Sequence, residues 1–419
     1  MIIEYGNKKF DHDIISTIFG ETKKINKSLI SGLGGSTNTW AQTLSSPSID
    51  ELKEFKITLD KFKYYQKKLK KKYNLFSKFL NDHNPLFTRT NKPLRIKNFL
   101  NTNKYDLVIN GYVHKIHTNY SKVKHIRILS SNKSFETKIF AKNYILCNNS
   151  YSIIQLLLNS IKSKDLKINN LNIGKGITNH PILHLGHFTK GCKKINKFTI
   201  NNNLNYYQGI RFFRNNKSHL SFYKLTNFNL NLIIFYFKQL IKKSLIFFGF
   251  LNVFKYLKIP FILKNFFKSK YIVLLFLEMS NLEGFAKLAN KKNYLGNNLL
   301  KLNFSRKYLY QTDYNFLYKK LFENYQINIH QNNNDKLLSF DSSHHMGGLK
   351  IGNSQNNSVI NFNFKYHRLN NLFIISNGIF PKHSSINPSY FLSILSLFFV
   401  DKLFSKLKRS KYDKAFKKI

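Results

Sequence analysis

Residues 370–403, NNLFIISNGIFPKHSSINPSYFLSILSLFFVDKL, set a short run of bulky apolar residues, a turn-rich loop and a long apolar segment in immediate succession. Leu372–Ile375 reads as a buried strand, because consecutive apolar side chains leave neither strand face for water. Asn377, Gly378 and Pro381 then break it. Pro388 stands where a helix accepts proline, at its first position. The apolar helix that follows leaves through Lys402, Lys406 and Lys408. Strand, loop and helix in that order place the chain in the mixed α/β class.

The rest of the chain supplies further elements of both kinds. MIIEYG reads as a short buried strand ending in an acid and a glycine, and SLISGLGGSTNTW as a glycine turn opening onto small polar residues. A helical pattern from Ile49 to Phe79 carries YYQKKLKKKY, which serves either as a solvated helix face or as a basic patch; no nucleic-acid reading motif accompanies it. Residues 106–146 alternate as strands do, and a meander is the simplest arrangement. SIIQLLLNSI (Ser152–Ile161) is a short helix, IGKGITNHPILHLGHF (Ile173–Phe188) a loop feeding a strand, and NSVINFNFKYHRLNNLFIIS a small hairpin before the buried strand. Between Asn229 and Phe267, lysines interrupt apolar residues as in basic amphipathic helices. Such helices either pack on a core with lysines reaching outward or lie on an anionic membrane surface.

With 42% hydrophobic residues and 40 Phe, the 419-residue chain can fill a large core. The net charge of +48 alone predicts attraction to nucleic acid or anionic lipid. The excess is mostly Lys and accompanies abundant Asn, Ile, Phe and Tyr, a skew that adenine- and thymine-rich codons impose on any fold, so no specific nucleic-acid partner is expected. Cys147 and Cys192 give no disulfide framework, and the first residues lack a signal-peptide pattern, so a cytoplasmic setting is expected, with peripheral membrane contact through 229–267 left open. SLIFFGFLNVF and YIVLLFLEM fall short of the ~20 residues that span a bilayer, so no spanning helix is expected.

The chemistry-bearing residues are few. SFDSSHHMGGLKIG (Ser339–Gly352) sets His344 and His345 before a glycine pair. His180, His184 and His187 have helical spacing, but Pro181 and Gly186 oppose a helix there and no HExxH glutamate accompanies them. There is no GxSxG, and neither cysteine sits in an electropositive glycine turn. What remains is an acid–base role for an imidazole held by a glycine turn, against the ordinary fate of a buried, hydrogen-bonded histidine.

Taken in order, these segments resemble the glucose-methanol-choline oxidoreductase family, flavoenzymes that oxidise alcohols and sugars. HHMGGLKIG is similar to its H-H-M-G-T-x-R-M-G motif, and residues 370–403 to its ending, where N-P opens the last helix. IGKGITNHP is similar to its G-x-x-x-x-D-H-P loop, residues 278–304 to its substrate-domain strand pair, and GLGGSTNTW to its flavin-contacting loop. The resemblance implies non-covalent FAD, because Thr39 stands where some members carry a flavin-bonded histidine. It implies His344, three residues before Gly347, as catalytic base and Asn387 as its partner. It also implies cofactor contacts from Glu4 to the ribose hydroxyls, from Gly32, Gly34, Gly35, Ser36, Thr37, Asn38 and Trp40, and from Val113, Gly378, Asn387 and Pro388.

The implied fold is α/β, an FAD-binding Rossmann-like domain from 1–45, 105–185 and 340–419. It is interleaved with an antiparallel-sheet-plus-helix substrate domain from 46–104 and 186–339. The implied reaction is oxidation of a CH–OH group of an alcohol or sugar, with electrons passing to an unidentified acceptor. Some positions depart from the family pattern: Asn148, Asn149 and Ser150 fill a small-residue turn, and Gly348, Lys350 and Ile351 replace Thr, Arg and Met. The first strand and G-x-G-x-x-G turn of a Rossmann domain find no match, as in an N-terminally truncated member. The competing expectation is an inactive or incomplete relative that binds nucleic acid or anionic membrane through its lysines.

Overall fold

The structure, a computed structural model, describes residues 1–5, 35, 43–44, 47–73, 88–89, 105–130, 132–187, 207–212, 218–224, 271–277, 284–303, 339–381 and 388–416. In chain order the strands are β1 (Ile2–Ile3), β2 (Thr43–Leu44), β3 (Thr88–Arg89), β4 (Leu107–Val108), β5 (Gly111–Asn119), β6 (Lys122–Ser130), β7 (Glu136–Ile139) and β8 (Tyr144–Leu146). They continue with β9 (Thr178–His187), β10 (Tyr207–Phe212), β11 (Ser218–Lys224), β12 (Tyr271–Leu277), β13 (Phe285–Lys292), β14 (Asn298–Asn303), β15 (Ser339–Met346) and β16 (Leu372–Ile374). The helices are α1 (Ile49–Glu54), α2 (Leu59–Tyr73), α3 (Ser150–Lys162) and α4 (Pro388–Phe416), with a 3-10 turn at Asn377–Ile379.

Two parallel pairs carry the α/β character. β1 lies along β4, and β8 along β16 with Leu372 opposite Tyr144. The stretch 106–146 is therefore a meander only in its middle, where β5, β6 and β7 pair antiparallel. Its outer strands leave to pair with distant segments. An antiparallel sheet of five strands runs β10-β11-β12-β9-β15, and β13 pairs with β14 as a separate hairpin. The hairpin expected before β16 is instead a set of turns joined by isolated bridges such as Ile360 with Tyr366.

Local chemistry explains the helices. Ser48 and Glu51 form a reciprocal capping box that starts α1, each side chain bonding the other's main-chain N–H. Asn149 caps α3 by accepting from the Ser152 N–H at 3.0 Å. α3 then buries Tyr151, Ile153, Ile154 and Leu157 in the main core. Its Ser160 accepts from the Ile116 N–H at 3.1 Å, which locks the helix to β5.

The same core takes Leu52, Phe55 and Phe62 from α1, α2 and their connection, and Tyr390, Phe391, Ile394, Leu395 and Phe399 from α4. By length and apolarity alone, Pro388–Ser405 could cross a bilayer, and no such stretch was expected from the sequence. One face of it is instead core: Phe391 packs edge-on against Phe55 and Phe380. The 229–267 segment lies outside the described residues.

Candidate active site

Because β8 and β16 run parallel, both segments leave the pair at the same end. Cys147–Asn149 leads from there into α3, and Ile375–Ser376 into the 3-10 turn. Open parallel sheets take ligands beyond the carboxyl ends of their strands, where helix N-termini offer main-chain donors. Two polar atoms are buried at this end with no hydrogen-bond partner among the described residues: Ser150 Oγ and Asn377 Oδ1. Leaving such a group unpaired costs about 1–3 kcal/mol. A polar ligand bonding both would recover that cost, which marks this end as the candidate cofactor site.

The glycine turn after β15 is laced to the same 3-10 turn. Gly347 N donates to Asn377 O at 3.1 Å, Leu349 N to Gly378 O at 2.9 Å, and Ile351 N to Ile379 O at 3.2 Å. Gly347 has φ +80°, and a Cβ there would stand 1.9 Å from Gly176 O. Only glycine satisfies both conditions.

Just before that turn, His345 is buried against α3, with the Tyr151 hydroxyl 3.3 Å from its Nδ1. His344 occupies an irregular part of β15. Asp341 pairs with Pro181 and His345 with Asn179, so Ser342, Ser343 and His344 stand opposite His180 alone. A bulge of this kind interrupts the ladder between β15 and β9.

The sequence-predicted residues fall into groups. His344, Gly378 and Pro388 belong to the end of β15, the 3-10 turn and the start of α4. Gly378 has both main-chain groups engaged within the protein, its N–H by Ser376 Oγ and its carbonyl by Leu349 N. Glu4 and Val113 form a second group. The Glu4 N–H donates to Val108 O and its carbonyl accepts from Gly111 N, tying β1 and β4 to the strand that carries half-buried Val113. Tyr5 and Tyr112 pack edge-to-face beside them, ring centroids 5.4 Å apart. Gly35 is described with φ +49° and open space where a Cβ would be. Gly32, Gly34, Ser36, Thr37, Asn38, Thr39, Trp40 and Asn387 lie outside the described residues.

Sequence reasoning missed Tyr151 and Asn377, and saw Ser150 only as a departure. The strand–turn–helix order around Asn148–Ser150 was the available signal. The histidines of β9 lie on a strand, so helical spacing does not gather them, and the described residues contain no cluster of three metal-binding side chains. Burial pushes the Cys147 thiol up to about 11 although the residue keeps exposed surface, so it stays protonated near neutral pH.

The fold is mixed α/β, with a candidate ligand site at the shared carboxyl end of β8 and β16. A profile of the GMC oxidoreductase family matches residues 286–395, which include β15, the glycine turn, β16 and the start of α4. Pyridoxine 4-oxidase from Mesorbium loti is similar in structure, with TM-score 0.50 and 11% identity over 86% of this chain and 71% of that one. An FAD-dependent oxidoreductase from Chaetomium thermophilum aligns with TM-score 0.43 and 13% identity, over 73% of this chain and 62% of that one. No curated protein matches by sequence. Over residues 286–395 the chain is similar to the GMC oxidoreductase family.

Proposed function

We propose that the chain is a flavin-dependent oxidoreductase acting on a CH–OH group of an alcohol or sugar, with FAD held non-covalently. The observation that carries this reading is the pair of unpartnered buried atoms, Ser150 Oγ and Asn377 Oδ1, at the shared carboxyl end of β8 and β16. The similarity of residues 286–395 to the GMC oxidoreductase family supports it. The Rossmann-like part is drawn from 1–45, 105–185 and 340–419, and the substrate part from 46–104 and 186–339.

Bound FAD would supply the hydride acceptor. His344 is assigned as the base that takes the hydroxyl proton, since an imidazole titrates near neutrality. Asn387 is assigned a hydrogen bond to the same oxygen, which fixes the orientation of the reacting carbon. The N-terminus of α4 at Pro388 would offer positive helix-dipole charge to a flavin held there, favouring its anionic form. His345 belongs to the packing, held by Tyr151.

The test is a visible absorption spectrum of the purified full chain, before and after acid precipitation and with added FAD. Flavin bands released into the supernatant support the reading; a colourless chain that ignores added FAD overturns it. For the base, His344→Ala should abolish turnover, and an unchanged rate and pH profile would remove His344 from the role.

A further inference from the structure

We propose that the paired face of α2 and α4 docks on an anionic lipid bilayer. The two helices run in the same direction. Phe62 meets Phe391 with ring centroids 6.0 Å apart, Tyr65 meets Phe398 at 5.6 Å, and Lys68 Nζ pairs with Asp401 Oδ2 at 2.7 Å. The C-terminal half of α2 therefore lies beside the middle of α4. Leu59–Tyr73 holds seven lysines against Asp60, and residues 402–416 hold five lysines and Arg409 against Asp413.

The outward face of this pair is both basic and apolar. On α2, Tyr64, Lys67, Lys68 and Lys71 recur with the spacing that shares one helix face, opposite buried Phe62, Gln66 and Leu69. Tyr64 is 59% exposed. On α4, Val400 and Phe404 stand one turn apart, 39% and 58% exposed, flanking the Asp401 that pairs with Lys68. Cations near helix C-termini complement the dipole, which accounts for some of the lysines. It does not account for a valine and a phenylalanine left in water beside them.

The chemistry selects lipid over nucleic acid. Strand-binding surfaces combine cations with aromatic platforms that stack on bases, and a valine offers no such platform. A bilayer rewards every part of this face. Val400 and Phe404 enter the acyl boundary, Tyr64 suits the interface, and the lysines reach anionic headgroups over their own apolar stems.

With so basic a chain, charge alone would draw it to any anionic surface, so the test must separate this face from the rest. The full chain is co-sedimented with phosphatidylcholine vesicles with and without phosphatidylserine, alongside two equal-charge variants and one apolar variant, all checked for folding by circular dichroism. The face variant is Lys61→Gln, Lys67→Gln and Lys71→Gln; the control is Lys122→Gln, Lys124→Gln and Lys142→Gln, also exposed. The expected result is binding to phosphatidylserine vesicles that falls about tenfold in the face variant and severalfold in Phe404→Ser, with the control close to the parent. Equal losses in the two lysine sets, an unaffected Phe404→Ser, or no vesicle binding would each overturn the proposal. So would a single-stranded oligonucleotide bound more tightly than the vesicles and indifferent to Phe404→Ser.

Discussion

The Tyr151 hydroxyl stands 3.3 Å from His345 Nδ1, and both side chains are buried. One belongs to the first turn of α3 and the other to the end of β15, so the contact joins the two elements that frame the candidate site. It also separates the adjacent histidines, since His345 is committed to packing. Tyr151→Phe removes the hydroxyl and leaves the ring, and should lower stability by roughly 0.5–1.5 kcal/mol in urea unfolding. Because the pair acts on position and not on the proton, the pH profile of any turnover should keep its midpoint. A shifted midpoint would transfer the base assignment toward His345.

Two glycines with left-handed backbone should respond very differently to the same change. Gly347→Ala drives a Cβ to 1.9 Å from Gly176 O, a clash with main chain that cannot swing aside. We expect a loss of several kcal/mol, enough to remove most folded protein from a total stability of ~5–15 kcal/mol. Gly35→Ala meets nothing within 4 Å and should cost only the strained backbone, about 1–2 kcal/mol. Thermal melts of the two variants check the contrast, and similar losses would contradict it.

What was legible in the sequence follows the range of the forces. α3 and α4 could be read because apolar periodicity and Pro388 act within a few residues. β16 was visible as an apolar run. The partners of β1 and β8 were not, since Ile2 finds Leu107 and Tyr144 finds Leu372 through tertiary packing that no local pattern encodes. The histidine–glycine motif was readable as HHMGG, whereas the bulge that holds His344 depends on β9. Ser150 and Asn377 are ordinary polar residues at the starts of α3 and of the 3-10 turn. Only burial without a partner marks them.

Stability should fall with acid because of a histidine cluster away from the site. His117 and His125 stack between β5 and β6 with ring centroids 4.3 Å apart, and neither ring nitrogen of His125 has a hydrogen-bond partner among the described residues. Around them stand Lys115, Lys124, Arg127 and Lys138, countered by Asp165 at 3.2 Å from His117 Nε2, with His114 beside Glu136 nearby. Desolvation, ahead of these charges, holds all three imidazoles below their ordinary 6.5. A base depressed in the folded state is protonated first in the unfolded one. Its stabilising contribution is therefore full above pH 6.5 and lost as pH falls from there toward the folded values. Urea midpoints should drop between pH 7.5 and 5.5, and His125→Phe, which keeps a ring against His117, should flatten the slope. An unchanged slope would place the acid sensitivity elsewhere.

The unpartnered atoms at the β8–β16 end make a prediction whose sign reverses with ligand. Without cofactor, Ser150→Ala and Asn377→Ala each delete a buried polar atom with no partner among the described residues, so stability should hold or rise by up to about 1 kcal/mol. With FAD the order should invert. Ligand that binds only the folded state adds about 2.7 kcal/mol at a hundredfold excess over Kd, and the variants should forfeit part of that gain. The measurement is a melting temperature for each chain with and without FAD, which needs no turnover. If both variants lose stability in the absence of FAD, the two atoms already have partners in the protein. If they gain without FAD and also keep the full FAD shift, the cofactor lies elsewhere.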